Sequence, residues 1–429
     1  MSRTGLRVVL LVAGLAIASR LALVLWLPME PLAEIAMSGD GDTRYYVRLA
    51  QHLASSGEYA EGHLRAYRPP GYPVFLSGLL RLGAGSRTIQ VVQNLLYVLA
   101  VLMLSTLASR RWGWLVGTLA AGLALASPIW LLLPQTALSE TLFVILVAIG
   151  ISIALTGTAP PAFGLALVAG MVFGVAALVR EMGLLLGGVL GAVVGGWAWR
   201  VGMRARGVAL GTTVLLGTVL AILPWTIRNY SVFGHVVPIS TNGPINLYIG
   251  NNPEATGVYH WRLPPPAQAV WNRRDEVRSN ELFTSRLAGR EAISYIRVNP
   301  WRAVSLVPRR VWALWGPPVT LYAGLDVGAL ARSGAAAVWF TCLGLGMFGL
   351  WRMRREPLAW FVVGSCFTAT VVHATTFGDA RFRAAHEYML MLPAGLVVAE
   401  VWRERADRTK NECRRRERRL SKGHLVRPE

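Results

Sequence analysis

The sequence predicts an all-α polytopic membrane protein that crosses the bilayer about ten times. Three observations lead to this prediction. Hydrophobic residues make up 54% of the 429 residues and charged residues only 15%, whereas soluble domains have about 25% charged residues. The apolar residues are concentrated in runs of about 20, a length that crosses a bilayer core. Finally, arginines cluster in alternate loops between these runs.

The apolar runs define the predicted spans in order along the chain. The first begins at Val8, next to Arg3 and Arg7, and is too long for the core of a signal peptide. We therefore expect a span that starts in the cytoplasm. Arg20 lies inside this span, where it must pair with a polar group or extend to the membrane surface. The predicted spans are residues 8–27, 89–108, 114–133, 140–157, 162–179, 182–199, 208–226, 332–350, 358–376 and 385–402.

The distribution of arginines predicts the orientation of these spans. With ten spans, the arginine-rich short loops and the C-terminal tail all face the cytoplasm, as the positive-inside rule requires. Residues 29–87 then face outward and hold six Arg against six Asp or Glu, so they carry no positive bias. The arginines counted as cytoplasmic are Arg110, Arg111, Arg200, Arg204, Arg206, Arg352, Arg354, Arg355 and those after Trp402.

Residues 297–325 are apolar enough to resemble an eleventh span. Counting them would place the arginine-rich tail outside the cell, against the positive-inside rule. Arg309 and Arg310 also lie near the centre of the segment, and each would cost about 2.5–3.5 kcal/mol at mid-bilayer. We therefore predict an interfacial or re-entrant helix on the outer face.

The span prediction divides the chain into four regions, and two segments of these regions are extracytoplasmic loops. A helix is expected over residues 275–297 because helix formers recur at helical spacing there. The regions are an N-terminal transmembrane module (1–227) that includes the first loop region (29–87), a second loop region with interfacial helices (228–330), C-terminal transmembrane helices (331–402) and a basic cytoplasmic tail (403–429).

The charge and the cysteines limit the partners. A net charge of +20 on a soluble protein would suggest nucleic acid, but here the basic residues flank apolar runs. We therefore expect membrane lipid and no nucleic acid, with the tail as a partly frayed helix on anionic lipid. Cys342 and Cys366 fall in apolar runs and Cys413 in the basic tail, so no disulfide framework is indicated.

The first loop region contains the strongest functional signal, SGDGDTRYYVRLAQHLASSGEYA. Helical periodicity over residues 45–54 puts Tyr46 on an apolar face, and Gly57 is placed to end the helix. Asp42 then lies near the helix N-terminus, where the dipole favours an ionised carboxylate. Such a group can accept a proton or hold a metal; the alternative is that Asp42 is only an N-cap.

Other charged residues fall at the predicted outer ends of spans, on the same face as Asp42. Ionisable groups at membrane depth are costly, which makes them functional candidates. The alternative for Arg180 is a structural pair with Glu140 or Glu181. The C-terminal arginines could hold a phosphate bidentately, or meet lipid head groups. The candidates are Glu140, Arg180, Glu181, Arg228, Asp379, Arg381, Arg383 and His386.

A series of motifs in residues 1–260 resembles one family. The segments GDTRYYVRLAQHLASSGEY, AYRPPGYPVFL, ALSETLFVIL, ALVREMGLLL and PWTIRNYSVFGHVVPISTNGPINLYIGNNPEATG occur in the family's order. Together they resemble GT-C membrane glycosyltransferases of the protein mannosyltransferase and lipid A aminoarabinose transferase type (glycosyltransferase family 39 and its relatives). The chain departs from the large eukaryotic mannosyltransferases in having no Asp-Glu pair at the first motif.

The resemblance implies a GT-C bundle that transfers a sugar from a polyprenyl-phosphate donor to a lipid, glycan or protein at the outer face of the cytoplasmic membrane. It implies Asp42 as the catalytic carboxylate, with Asp40 as the alternative, and leaves open a divalent metal. The rival function is a lipid-linked sugar flippase or transporter, for which broken helices and mid-membrane charges are expected. The predicted donor-phosphate residues are Arg180, Arg228, Arg381 and Arg383, and the predicted substrate contacts are Tyr46, Tyr72, Glu140, Asn242 and Asn246.

Overall fold

The computed structural model describes residues 3–38, 41–259, 281–317 and 329–423. Within these residues the chain is almost entirely helical and contains no β-strand, which confirms the all-α class. Asp40, residues 275–280 of the predicted loop helix and residues 318–325 of the ambiguous apolar segment lie outside the described residues.

The described α-helices follow the apolar runs and the predicted loop helices. In chain order they are α1 (Arg3–Trp26), α2 (Leu32–Ser38), α3 (Gly41–Ser56), α4 (Gly71–Arg81), α5 (Ser86–Trp112), α6 (Trp114–Ala126), α7 (Pro128–Leu132), α8 (Glu140–Leu155), α9 (Phe163–Val179), α10 (Met182–Arg200), α11 (Arg204–Phe233), α12 (Asn242–Gly250), α13 (Glu281–Val298), α14 (Pro300–Ser305), α15 (Val307–Trp315), α16 (Ala329–Arg352), α17 (Pro357–Thr375) and α18 (Ala384–Gly423). One-turn 3₁₀ helices cover Leu133–Gln135 and Ala380–Arg383.

Five helices, α5, α10, α11, α16 and α17, are long and apolar enough to cross a membrane. The bent pair of α6 with α7 and the following 3₁₀ turn would be a sixth. Shorter apolar helices cover Leu11–Trp26, α8 and α9. The described residues therefore form a helical protein of multi-pass membrane type with five or six candidate spans, and the count of ten stays a prediction.

The predicted third span is broken rather than continuous. Its axis bends by 63° between α6 and α7. Pro128 has no N–H to donate to Ala124 O, and Pro134 has none to donate to Trp130 O, so two helical hydrogen bonds are missing in this region. The Tyr97 hydroxyl donates to Ala124 O at 2.6 Å. The buried Arg20 guanidinium donates to Trp130 O and, at 2.5 Å, to Leu125 O. Arg20 thus pairs with backbone carbonyls that the break leaves free.

Replacing Arg20 by methionine is expected to lower the thermal stability. Met has a similar length but no donor, so two buried carbonyls lose a partner, at about 1–3 kcal/mol each. We expect the free energy of unfolding in detergent to fall by roughly 2–6 kcal/mol. The matched control is Leu21→Met, at the next residue and on an exposed face, which should change little. Equal melting temperatures for the two variants would contradict this role.

Small residues bring α9, α10 and α11 close together. The sequence predicts close packing from the four-residue spacing of glycines in α10. A Cβ at Gly191 would lie 3.0 Å from Gly211 O, and one at Gly195 would lie 2.9 Å from Gly207 O. These contacts confirm the prediction, because larger side chains would force the two helices apart.

The two loop regions are helical as well. In the first, α3 begins at Gly41 and is followed by Gly57, whose φ of +76° suits glycine. In the second, α13 covers the described part of the predicted helix. The described part of residues 297–325 forms α14 and α15, of six and nine residues, which are too short to span a bilayer. Arg310 is buried there and donates to Gly250 O at 2.6 Å.

The C-terminal helix continues into the predicted tail. From the last predicted span, α18 extends as one helix to Gly423, through the segment predicted to be a partly frayed helix. Arg352 bonds Glu400 of α18 at 3.3 Å, and Arg403 donates to Trp112 O at 3.2 Å. The first residues of the tail are therefore held against the ends of α5 and α16.

Candidate functional site

Asp42 forms ion pairs with two arginines that are distant in sequence. It lies in the first turn of α3, as predicted. Its Oδ1 contacts the guanidinium of Arg68, which precedes α4, and its Oδ2 contacts that of Arg381, in the 3₁₀ turn before α18. The structure therefore brings the first loop region against the start of the last helix.

The network continues from Arg381 to Glu140, at the first residue of α8. Arg381 Nε lies 2.8 Å from Glu140 Oε1, and Arg180 Nη1 lies 2.7 Å from the same oxygen. Arg180 also donates to Ser139 Oγ at 3.0 Å, and the Tyr46 hydroxyl lies 3.4 Å from that oxygen. Three guanidinium groups and two carboxylates thus form one chain of contacts.

The 3₁₀ turn before α18 orients the Arg381 side chain. The Asp379 carboxylate accepts the backbone N–H of Arg381 at 2.8 Å and caps the 3₁₀ turn. The ring of Phe382 lies 5.5 Å from the Arg381 guanidinium and 5.8 Å from that of Arg180. The imidazole ring of His373 in turn stacks on the Phe382 ring, with ring centroids 4.6 Å apart. The Asp379 cap and the stacked Phe382 and His373 rings therefore support the turn next to the two arginines.

The arginines determine the charge state of Asp42. Burial alone would raise the pKa of the Asp42 carboxyl, but the neighbouring Arg68 and Arg381 outweigh it and hold the pKa well below its usual value. Burial lowers the pKa of the Arg68 and Arg381 guanidiniums, but the carboxylates beside them raise it by more. The pKa of each guanidinium therefore lies above its usual value. All three groups are therefore ionised at neutral pH. Burial raises the pKa of Asp379.

Sequence reasoning missed Arg68 and Ser139. Arg68 lies in the AYRPPGYP segment that contributes to the family resemblance, and its guanidinium lies 4.9 Å from the Tyr67 ring centre. The proline that follows restricts Arg68 to extended backbone, which was a usable signal for an ordered position. Ser139 directly precedes Glu140, and nothing in its sequence context separates it from other serines.

Arg228 and Arg383 do not belong to the network. Arg228, on α11, donates to Arg65 O at 2.7 Å and to Tyr59 O at 3.1 Å. Arg383 is fully buried, donates to Glu387 at 2.9 Å and binds the carbonyls of Leu314 and Gly316. Both guanidiniums bind protein groups in the free protein, and their contact with a donor phosphate stays a prediction.

The predicted substrate contacts are distributed unevenly. Tyr46 and Glu140 are part of the network, whereas Tyr72 is fully buried beneath it. The Tyr72 hydroxyl donates to Gln93 at 2.7 Å, and its ring packs edge-on against Tyr46 at 5.0 Å. Tyr72 therefore supports Tyr46, and its contact with a substrate stays a prediction. Asn242 is buried and Asn246 half-buried on α12, and their contact with substrate stays a prediction.

The site does not fit a divalent metal. Among the described residues, no three His, Cys, Asp or Glu side chains converge. Asp42 and Glu140 are joined through Arg381, so a cation that bridged the two carboxylates would have to displace a guanidinium. Three guanidinium groups gathered in one place instead favour an anion such as a phosphate.

Comparison with known proteins does not assign a family. Neither the models of known protein families nor the curated proteins to which the chain was compared match it. A functional interpretation must therefore depend on the sequence motifs and on the geometry around Asp42.

Proposed function

We propose that this protein is a membrane glycosyltransferase that moves a sugar from a polyprenyl-phosphate donor to an acceptor lipid, glycan or protein at the outer face of the cytoplasmic membrane. The observation that carries the proposal is the chain of contacts through Asp42, Arg68, Arg381, Glu140 and Arg180. It combines an ionised carboxylate with an excess of guanidinium groups, which are the two components that transfer from a phosphate-linked sugar requires. The GT-C resemblance of residues 1–260 supports the same reaction.

The donor phosphate is expected to compete with Asp42 for its arginines. In the free protein Asp42 is a weak base, because Arg68 and Arg381 keep its pKa low. The phosphodiester of the donor presents two non-bridging oxygens and one negative charge, as the Asp42 carboxylate does, so it can bind the same guanidiniums with bidentate geometry. When Arg68 and Arg381 turn to the phosphate, the pKa of Asp42 rises towards the range in which a carboxylate accepts protons well. Donor binding would thus activate the base.

The reaction then needs one displacement at the anomeric carbon. Asp42 accepts the proton of the acceptor hydroxyl while the hydroxyl oxygen of the acceptor forms a bond to the anomeric carbon. The bond between that carbon and the phosphate oxygen breaks, and the electron pair stays on the polyprenyl phosphate. Arg381 and Arg180 offset the negative charge that grows on this leaving group, and Asp42 later releases its proton to water.

Glu140 has two functions in this proposal. One oxygen, Oε1, holds Arg381 and Arg180 at 2.8 and 2.7 Å. The other, Oε2, is buried and has no hydrogen-bond partner within the part of the chain that the structure describes. A buried carboxylate oxygen of this kind is costly unless a donor reaches it, and a sugar hydroxyl supplies such a donor.

A lipid-linked sugar transporter is the second candidate. The bend between α6 and α7 is the observation in its favour, because transporters place substrates at interrupted helices. However, Arg20 and Tyr97 already bond the carbonyls at this bend. Three backbone carbonyls at the interruption, those of Ala124, Leu125 and Trp130, are therefore already bonded to protein side chains, and the transferase is favoured.

An assay of donor cleavage distinguishes the two functions. The purified protein in liposomes is given a panel of polyprenyl-phosphate pentoses and hexoses with a membrane extract as acceptor. A transferase releases free polyprenyl phosphate and labels an acceptor, both measurable by mass spectrometry. Movement of an intact donor between leaflets, without cleavage of any panel member, would contradict the proposal and support the transporter.

A further inference from the structure

One peptide group of the first loop region is held at both ends by opposite charges. The carbonyl of Arg65 accepts Arg228 Nη1 at 2.7 Å, and the N–H of Ala66 in the same peptide group donates to both oxygens of Glu281 at 3.2 Å. The N–H of Arg65 also donates to Glu281 Oε2, at 2.5 Å. Glu281 is buried, at the first described residue of α13. We call Glu281 and Arg228 the clasp.

Further bonds fasten the same peptide to the second loop region. The Thr241 hydroxyl donates to Glu281 Oε1 at 2.5 Å, and the Thr241 N–H donates to Ala66 O at 2.9 Å. Ser285, one turn along α13, donates to Thr241 O at 2.6 Å. The start of α13 therefore holds a short piece of the first loop region through its backbone, independently of the side chains at positions 65 and 66.

This piece of chain leads directly to the site. Arg68 follows Ala66 by two residues, and the Tyr59 hydroxyl donates to Arg68 O at 2.9 Å. Pro69 and Pro70 come next and restrict the backbone. The backbone is restrained both before and after Arg68. The position of the Arg65–Ala66 peptide group therefore determines where the Arg68 guanidinium meets Asp42.

We propose that Glu281 is a positioning residue, which together with Arg228 holds the Arg65–Ala66 peptide so that Arg68 reaches the Asp42 carboxylate and the donor phosphate. Its effect on activity rests on the proposed transferase function, whereas the clasp itself does not. The second loop region thus contributes to the reaction through Arg68, without touching the substrate. The alternative is that Glu281 only stabilises the packing of α13.

Hydrogen–deuterium exchange tests the clasp without any substrate. In Glu281→Ala, exchange of the amides in residues 59–68 should rise, because the N–H groups of Arg65 and Ala66 lose their acceptor. Glu281→Gln keeps an acceptor oxygen and should retain part of the protection. Glu291→Ala, an exposed position on the same helix, is the matched control and should match the wild type. Unchanged exchange in Glu281→Ala would overturn the proposal.

A double-mutant cycle with Arg68 separates positioning from packing. Glu281→Ala should reduce donor turnover about ten- to a hundredfold, the effect of misplacing a group by about 1 Å. In an Arg68→Ala background it should cause little further loss, because its effect passes through Arg68. Equal losses in both backgrounds, with a lower melting temperature, would overturn the positioning role. If the wild type transfers no sugar, the exchange measurement alone still supports or overturns the clasp.

Discussion

Asp42→Asn is expected to reduce sugar transfer by about 10²–10⁴-fold, the usual contribution of general-base catalysis. The same change frees Arg68 and Arg381 from their carboxylate, so donor phosphate no longer competes with it. We therefore expect the donor KM to stay the same or fall while kcat collapses. An unfolded variant would lose donor binding as well, which makes this split a check on folding. The measurement is turnover against donor concentration in detergent.

Controls decide which carboxylate is the base. Glu58→Gln removes an exposed carboxylate from the same loop region and should leave turnover unchanged. Asp42→Asn is expected to melt at a lower temperature, since two guanidiniums lose a partner. Turnover near the wild-type level would sink the assignment to Asp42. Loss in Asp40→Asn instead would move the role to Asp40.

The pH dependence of wild-type turnover tests whether donor binding raises the pKa of Asp42. The folded-state pKa of Asp42 is depressed, so its ionised form adds stability above the unfolded pKa, and this is lost as pH falls through the folded pKa. In the free protein Asp42 should stay ionised through the acidic range that an assay can reach. If phosphate takes over its arginines, the acidic limb of kcat should lie at higher pH than that of kcat/KM. Coincident limbs would contradict activation by the donor.

Arg381→Gln is expected to have the second-largest effect on transfer, a loss of about 10²–10³-fold. This arginine contacts both Asp42 and Glu140, and it has the position to meet the growing charge on the leaving phosphate. Arg381→Lys keeps the charge but cannot bond two groups in a fork, so it should retain only part of the activity. Donor saturation and melting temperature should be measured together for each variant.

Arg383 offers a matched control two residues away. It is fully buried and paired with Glu387, so Arg383→Gln leaves a buried carboxylate without its partner, at about 3–5 kcal/mol. We expect this variant to lose stability, with a near-normal donor KM in whatever fraction folds. A result in which Arg381→Gln loses only stability and Arg383→Gln loses donor turnover would reverse the two roles.

Local patterns in the sequence were sufficient for the helices. Every predicted span except the broken third lies in a single helix, because an apolar run in which every backbone group must be bonded internally has few other options. The start of α3 close to Asp42 and its end before Gly57 were also predicted from local signals. Two features could have been predicted but were not: Pro128 and Pro134 in the broken third span, and the i to i+4 spacing of Arg383 and Glu387.

By itself, the sequence determined an all-helical membrane protein with a carboxylate at the start of a loop helix, since helix periodicity and capping depend on near neighbours. Only the tertiary structure decided which arginines reach that carboxylate. Arg381 and Arg383 lie in the same 3₁₀ turn, yet one contacts Asp42 and the other Glu387. Arg68 and Arg228 were likewise assigned by contacts across loop regions. The physical reason is that an ion pair depends on distance in space, and the packing of helices far apart in the chain sets that distance.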